Sequence, residues 1–365
     1  MTRDSDPSRS EPTTNRRTFL GTVGAVGTAS LAGCSDLLQW QSPYAPPVVE
    51  DRPDAVYHPT HTEEMVMAGM KKAGPYGCAL SYGYPHRFWL VTGTRTERVS
   101  IREDDSVHLM ATIWDRASGI VLPDASPDVE ISVGEETVTS LNPWSMLSQQ
   151  MGFHFGDNVT LPGDGSYDVE IGIAPPSLPR SESMPDAPDE RTTCSVDFEF
   201  SRAERDELSV TEFPDRQGDP GAVPAMDMSM TPTSTVPTMG DLPGRTLGSA
   251  TSGDAAFTVT IVDDAARFGA SADQSYLSVS PRTPHNRFGL PFMSLSASLD
   301  RDGSATDVSL DAALDPALSL HYGAVVAEPV TGTDLTVTVE TPPQVSRHEG
   351  YETAFLEMPP VEFTL

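Results

Sequence analysis

The sequence predicts an all-β protein built as two tandem β-sandwich domains. Three observations predict it. Apolar stretches are short, strand-length and bounded by Gly, Pro, Asp and Ser; helical periodicity is scarce; and the second half of the chain echoes the first. Many short strands without intervening helices argue for sandwiches, and 365 residues leave room for two ordinary domains.

In chain order, Asn15-Arg16-Arg17-Thr18-Phe19-Leu20 opens an apolar stretch that ends in Leu31-Ala32-Gly33-Cys34. Paired Arg, a short Gly/Ala-rich apolar run and small residues before Cys form a twin-arginine lipoprotein signal. Residues 1–33 are expected to be removed and Cys34 to be lipidated, which places the protein on the extracellular face of the cell membrane. The apolar run is too short for a span, which needs roughly 20 residues. Residues 34–50 read as a polar, Pro-containing tether.

Residues 51–203 read as the first sandwich, with strands at Val107–Trp114, Val129–Val133 and Tyr167–Ile173; Thr62–Lys72 is the best helical candidate. Residues 204–250, rich in Pro, Thr, Met and Gly, read as a linker. Residues 251–365 form the second sandwich, with strands at Ala256–Val262 and Leu335–Glu340. His154-Phe155-Gly156 and His321-Tyr322-Gly323 are each followed, 21 residues after the histidine, by a Pro-Pro pair, Pro175-Pro176 and Pro342-Pro343. Two further echoes, Pro85-His86-Arg87-Phe88 with Pro284–Phe288 and Asp115–Gly119 with Asp300–Gly303, extend the repeat and predict a duplication.

Composition limits function. There are 53 acidic and 23 basic residues, and only Lys71 and Lys72 are lysine. Residues 1–33 carry four Arg and three acids, so the processed chain holds about −31. Acids spread along a folded chain suit a salt-loving microbe, because molar salt shortens the screening length to roughly 3 Å. So acidic a surface excludes nucleic acid as a partner. Cys78 and Cys194 either pair as a disulfide outside the cytoplasm or remain buried thiols.

The segment Gly152-Phe153-His154-Phe155-Gly156-Asp157-Asn158-Val159, with Leu161-Pro162-Gly163, Gly165-Ser166-Tyr167 and Ala174-Pro175-Pro176-Ser177, resembles the periplasmic iron-transport protein family. The resemblance covers residues 80–177 and, more faintly, 275–362. It implies an immunoglobulin-like sandwich, no enzymatic chemistry, a metal site of His, Met and a carboxylate, and pairing as a homodimer. On that resemblance the ligand histidine falls on His154 and on His321. The methionine falls on Met146 or Met151. The family's early strand lies at Cys78–Tyr84, which has no His or acid, so His86 just beyond it stands in. A late histidine after Pro-Pro is missing from the first half and falls at His348, beside Glu349, in the second.

Imidazole suits copper, iron and zinc, and thioether favours copper(I). The resemblance therefore implies an iron or copper ion as ligand and a membrane permease as partner. The resulting function is iron capture, or copper-assisted iron capture, for delivery to that permease. Copper handling and a metal-free adhesion or scaffolding module are the alternatives. Each histidine also has a plain structural reading: His154 as a core residue between Phe153 and Phe155, and His58 and His61 as exposed loop residues. His108 has no role beyond its strand. Met226, Met228 and Met230 read as linker cover or as a copper(I)-binding run. The chain lacks a Gly-x-Ser-x-Gly elbow, a His-Glu-x-x-His pair and a phosphate-binding loop, so it reads as no enzyme.

Overall fold

Strands 76–83, 107–115 and 152–159 are buried along nearly their whole length on both faces, strand 165–173 alternates buried and exposed residues through most of its length, and all four pair in antiparallel ladders. The computed structural model describes residues 46–228, 230–327 and 332–365. The signal, Cys34 and most of the tether lie outside the described residues. The described chain is all β apart from short helical turns, and it forms two β domains. No helix among the described residues is long and apolar enough to cross a membrane.

In the first domain, one sheet runs Val66–Ala73, Tyr76–Gly83, Val107–Asp115, Gly152–Val159, Trp144–Ser148. It then continues through Ser346–Arg347 to the hairpin Phe88–Thr92 and Arg95–Val99. The second sheet runs Thr192–Phe200, Gly165–Ile173, Asp128–Val133, Glu136–Leu141. Leu80, Tyr82, Ile113 and Phe155 from the first sheet share a core with Ile131, Ile171, Val196 and Phe198. Cys78 and Cys194, buried free thiols, meet across the two sheets, and that contact together with burial pushes the Cys78 thiol up.

The second domain has the same strand order: Arg245–Ser252, Ala255–Val262, Gln274–Arg282, Ser319–Ala327, Ser304–Asp315, Ser294–Arg301, Asp334–Thr341, Val361–Thr364. Its strand Ser304–Asp315 pairs with Ser294–Arg301 through its first part and with Ser319–Ala327 through its last. The first domain breaks the corresponding strand into Glu136–Leu141 and Trp144–Ser148, with Pro143 in the gap. His154 and His321 are each the third residue of the matching strand.

The strand order recurs in the two domains, but the two upstream echoes fall outside that correspondence. Pro85–Phe88 follows the second strand of its domain whereas Pro284–Phe288 follows the third. Asp115–Gly119 and Asp300–Gly303 likewise end strands that do not correspond. Turn-forming residues recur wherever strands end, so short echoes of them carry little register.

The helix expected over Thr62–Lys72 is two strands, His61–Glu63 and Val66–Ala73. The second folds back at Gly74 onto Tyr76–Gly83, and a bulge between Met67 and Gly69 slips its alternation. That slip gives the apolar residues a spacing resembling a helix. Gly69 is required there, because a Cβ would stand 2.6 Å from Val196 Cγ1. The stretch read as a linker over 204–250 is also partly ordered: Arg202–Asp206 is a helical turn, Val210–Glu212 pairs with His61–Glu63, and Arg245–Ser252 opens the second domain.

Candidate metal centre

His154 projects from strand Gly152–Val159, where its cross-strand partner is Met146. Its Nδ1 lies 3.1 Å from the Gly152 carbonyl oxygen, so that nitrogen carries the proton. Its Nε2 is buried and has no hydrogen-bond partner. His108 stands on the adjacent strand opposite Asn158. Its Nδ1 lies 2.9 Å from Asn158 Oδ1, which leaves Nε2 buried and again unpartnered. The Asn158 amide also donates to the His86 carbonyl at 2.9 Å and accepts from the His86 N–H at 3.2 Å, fixing the loop that carries His86. His86 turns Nδ1 towards Glu63 Oε2 at 3.7 Å, and its Nε2 is a third buried nitrogen without a partner.

The fourth imidazole comes from the other half of the chain. Ser346–Arg347 inserts as a short strand between Trp144–Ser148 and Phe88–Thr92, with Ser346 opposite Met146. The His348 N–H then donates to the Leu147 carbonyl at 3.1 Å. Gln149 pins the segment through its side-chain amide, which donates to the Tyr57 and Gly350 carbonyls at 2.8 and 3.1 Å. Arg347 is fully buried, its guanidinium donating to the Val345 and Pro343 carbonyls, and burial pulls it down to about 9. Arg87, next to His86, pairs with Glu349, next to His348, and so ties the two imidazole-bearing loops together.

The result is a cage. One nitrogen each from His86, His108 and His348 lies within 4.8 Å of the others. The His154 ring is 5.0 Å from that of His348, and Met146 Sδ is 3.3 Å from His348 Nε2. Burial pushes all the deep imidazoles towards the neutral form: His154 falls to about 4, and His108 and His348 sit well below the ordinary value. Neutral imidazole is the form that ligates metal. Buried polar atoms without partners are uncommon, so the unpartnered Nε2 atoms of His86, His108 and His154, together with His348 and the Met146 thioether against it, make a donor set that a transition-metal ion fits. Gly156 makes the space, since a Cβ there would lie 2.7 Å from His108 Nε2 and 3.1 Å from Met146 Sδ.

The corresponding position in the second domain holds no such set. His321 has both nitrogens occupied: Nδ1 lies 3.0 Å from the Ser319 carbonyl oxygen and Nε2 3.1 Å from Tyr276 Oη. The strand register puts Tyr276 where the first domain has His108, and Ala313 where it has Met146. Gly323 there makes room for the Tyr276 ring.

Of the residues singled out in the sequence, His86, His154, His348 and Met146 are brought together. Met151 lines an adjoining cavity of about 100 Å³ with His61, Glu63, His86 and His348, but the thioether beside the imidazoles is that of Met146. His321 is not part of the cluster: it lies on a strand of the second domain, where Tyr276 occupies its Nε2. His108, given no role from the sequence, is a member of the cage. A histidine in the largely apolar run Val107–Trp114 was its signal. His61 and Glu63, on the small ladder with Val210–Glu212, also reach the cavity. Glu63 would be raised by burial, but contacts with His61 and His86 outweigh that and hold its carboxyl low.

Residues 118–201 match the Fe2+ transport protein family, and residues 240–364 match a domain of unknown function, DUF7350. No curated protein matches the sequence. Similar solved structures include FetP of uropathogenic Escherichia coli, 17% identical, covering 38% of this chain and 96% of FetP at a TM-score of 0.29. A copper-bound variant of FetP covers 38% of this chain and 97% of its own at 17% identity and the same TM-score. A copper-bound variant of Campylobacter jejuni P19, also 17% identical, covers 38% and 98% at 0.31. The chain thus carries an Fe2+ transport protein family domain followed by a DUF7350 domain.

Proposed function

We propose that this protein captures a transition-metal ion outside the cytoplasm, anchored to the membrane by lipid on Cys34, and passes it to a membrane permease. The cargo is iron, taken alone or with the help of copper. The observation that carries the reading is the cage itself: three buried imidazole nitrogens without hydrogen-bond partners, on His86, His108 and His154, beside His348 and the Met146 thioether. A copper-handling reading has its own support in that thioether, a soft donor that favours copper(I). The match of residues 118–201 to a Fe2+ transport family supports iron. FetP and P19 variants similar to this chain are copper-bound, which supports copper.

The test is metal analysis of protein purified in chelator-free brine, followed by titration with Fe(II) and copper. Wild type should take up one ion per chain, and His108→Ala should lose most of it with an unchanged circular-dichroism spectrum. No binding by wild type would leave a metal-free adhesion or scaffolding module as the function. Cys34→Ser should release the protein from membranes into the medium; unchanged fractionation would remove the anchor.

A further inference from the structure

Glu63 is the carboxylate in contact with the cage, and it reaches a ligand from behind. Its Oε1 lies 2.8 Å from His61 Nε2, and its Oε2 lies 3.7 Å from His86 Nδ1. Thr60 Oγ1 lies 2.8 Å from His61 Nδ1, so Thr60, His61, Glu63 and His86 form one chain of polar contacts running towards the cage. The Glu63 side chain is only 12% exposed, which limits how far water weakens its field. The other carboxylates on the same cavity are directed elsewhere. Glu349 accepts from Arg87 and from the Thr60 N–H, and Glu64 accepts from the Ser209 N–H.

This arrangement does two things to His86. A proton on Nδ1 faces the carboxylate, so the Nε2 lone pair points away from Glu63, where that nitrogen is buried and unpartnered. A carboxylate behind a ligating imidazole also strengthens it as a donor. Four neutral imidazoles and a thioether bring no charge of their own, so Glu63 adds a negative charge that a doubly charged ion feels more than a singly charged one.

We infer that Glu63 is a positioning and specificity-determining residue for the proposed metal site: it fixes the tautomer of His86 and biases the cage towards divalent over monovalent ions. This rests on the metal-binding reading of the cage. Glu63 acts through His86 and is not itself a ligand.

The experiment uses copper, because one element supplies both charges. The binding of Cu(II) and of Cu(I) is titrated separately in chelator-free brine for the full chain, for Glu63→Gln and for Glu63→Asp. The midpoint potential of the bound ion and the Cu(II) electron-paramagnetic-resonance spectrum are also recorded. Glu63→Gln should weaken Cu(II) by roughly 10–100-fold, the range typical of a lost outer partner, while Cu(I) changes far less. That difference raises the potential by about 60–120 mV, at 59 mV per tenfold for one electron. The nitrogen hyperfine pattern should change, and Glu63→Asp should recover part of the shift. Equal weakening of both ions, or an unchanged potential, overturns the inference and leaves the metal site standing. If wild type binds neither ion, the metal reading itself falls and takes this inference with it. A purely structural role for Glu63 would lower thermal stability without separating the two oxidation states.

Discussion

His348→Ala tests whether metal joins the two halves of the chain. His348 sits on the second half but contacts Met146, His86 and His154 of the first. Without metal its Nε2 lies 3.3 Å from the Met146 thioether, a weak acceptor. The apo-protein should therefore melt close to wild type. With metal the two should part. An ion at 100 times its dissociation constant stabilises the folded state by about 2.7 kcal/mol. Loss of one inner donor should weaken binding by at least the roughly 100-fold upper range of an outer-partner loss. At the same free metal the variant then sits near its own dissociation constant, where stabilisation is only about 0.4 kcal/mol. Calorimetric melting in brine, with and without one fixed metal concentration, reads this difference directly. Wild type should show a clear metal-induced rise in midpoint that His348→Ala nearly abolishes. His321→Ala should retain the rise, because His321 is bound to Tyr276 and lies outside the cage. A metal-induced rise of equal size in wild type and His348→Ala would refute the reasoning.

Met146→Leu removes the thioether while nearly conserving volume at a fully buried position, so folding should lose less than about 1.5 kcal/mol; competition titration should show copper(I) affinity falling at least tenfold, with Fe(II) affected much less. Acid should destabilise the apo-protein. Folded His154 and His321 are held near 4 by burial, whereas unfolded histidine titrates near 6.5. Between these values the unfolded chain binds more protons, so stability is flat above about pH 6.5 and falls towards pH 4, by up to about 1.4 kcal/mol per unit for each histidine. Chemical denaturation at pH 7, 6 and 5 checks the sign. A chain of formal charge −30 with two lysines should lose thermal midpoint as KCl is diluted from molar to ~0.1 M, where screening reaches roughly 10 Å; melting across a salt series would show it.

The sequence alone determined the secondary-structure class and marked the two His-aromatic-Gly segments that lie on matching strands. Strand periodicity is local: every second side chain of a half-buried ladder must be apolar, which is written along 165–173, while a strand buried on both faces reads as a largely apolar run, as 107–115 does. The His-aromatic-Gly segments could be read for the same reason: the glycine two residues after the histidine lies on the same face and must leave room for a ring on the next strand. The sequence likewise marked His154, Met146, His86 and His348 as donors one by one. It could not say that they meet. His348 lies 194 residues beyond His154 and arrives only because Ser346–Arg347 slots between two strands of the other domain. Nor could it separate His108 from an ordinary strand residue. What makes His108 a candidate ligand is cross-strand register, with Asn158 taking one nitrogen and the glycine gap at Gly156 exposing the other. The same register turns His321 inward onto Tyr276. Equivalent histidines in equivalent strands are thus a candidate ligand in one domain and a plain core residue in the other. A metal site is a convergence of atoms from distant segments, and convergence is a property of pairing and packing that no local pattern records.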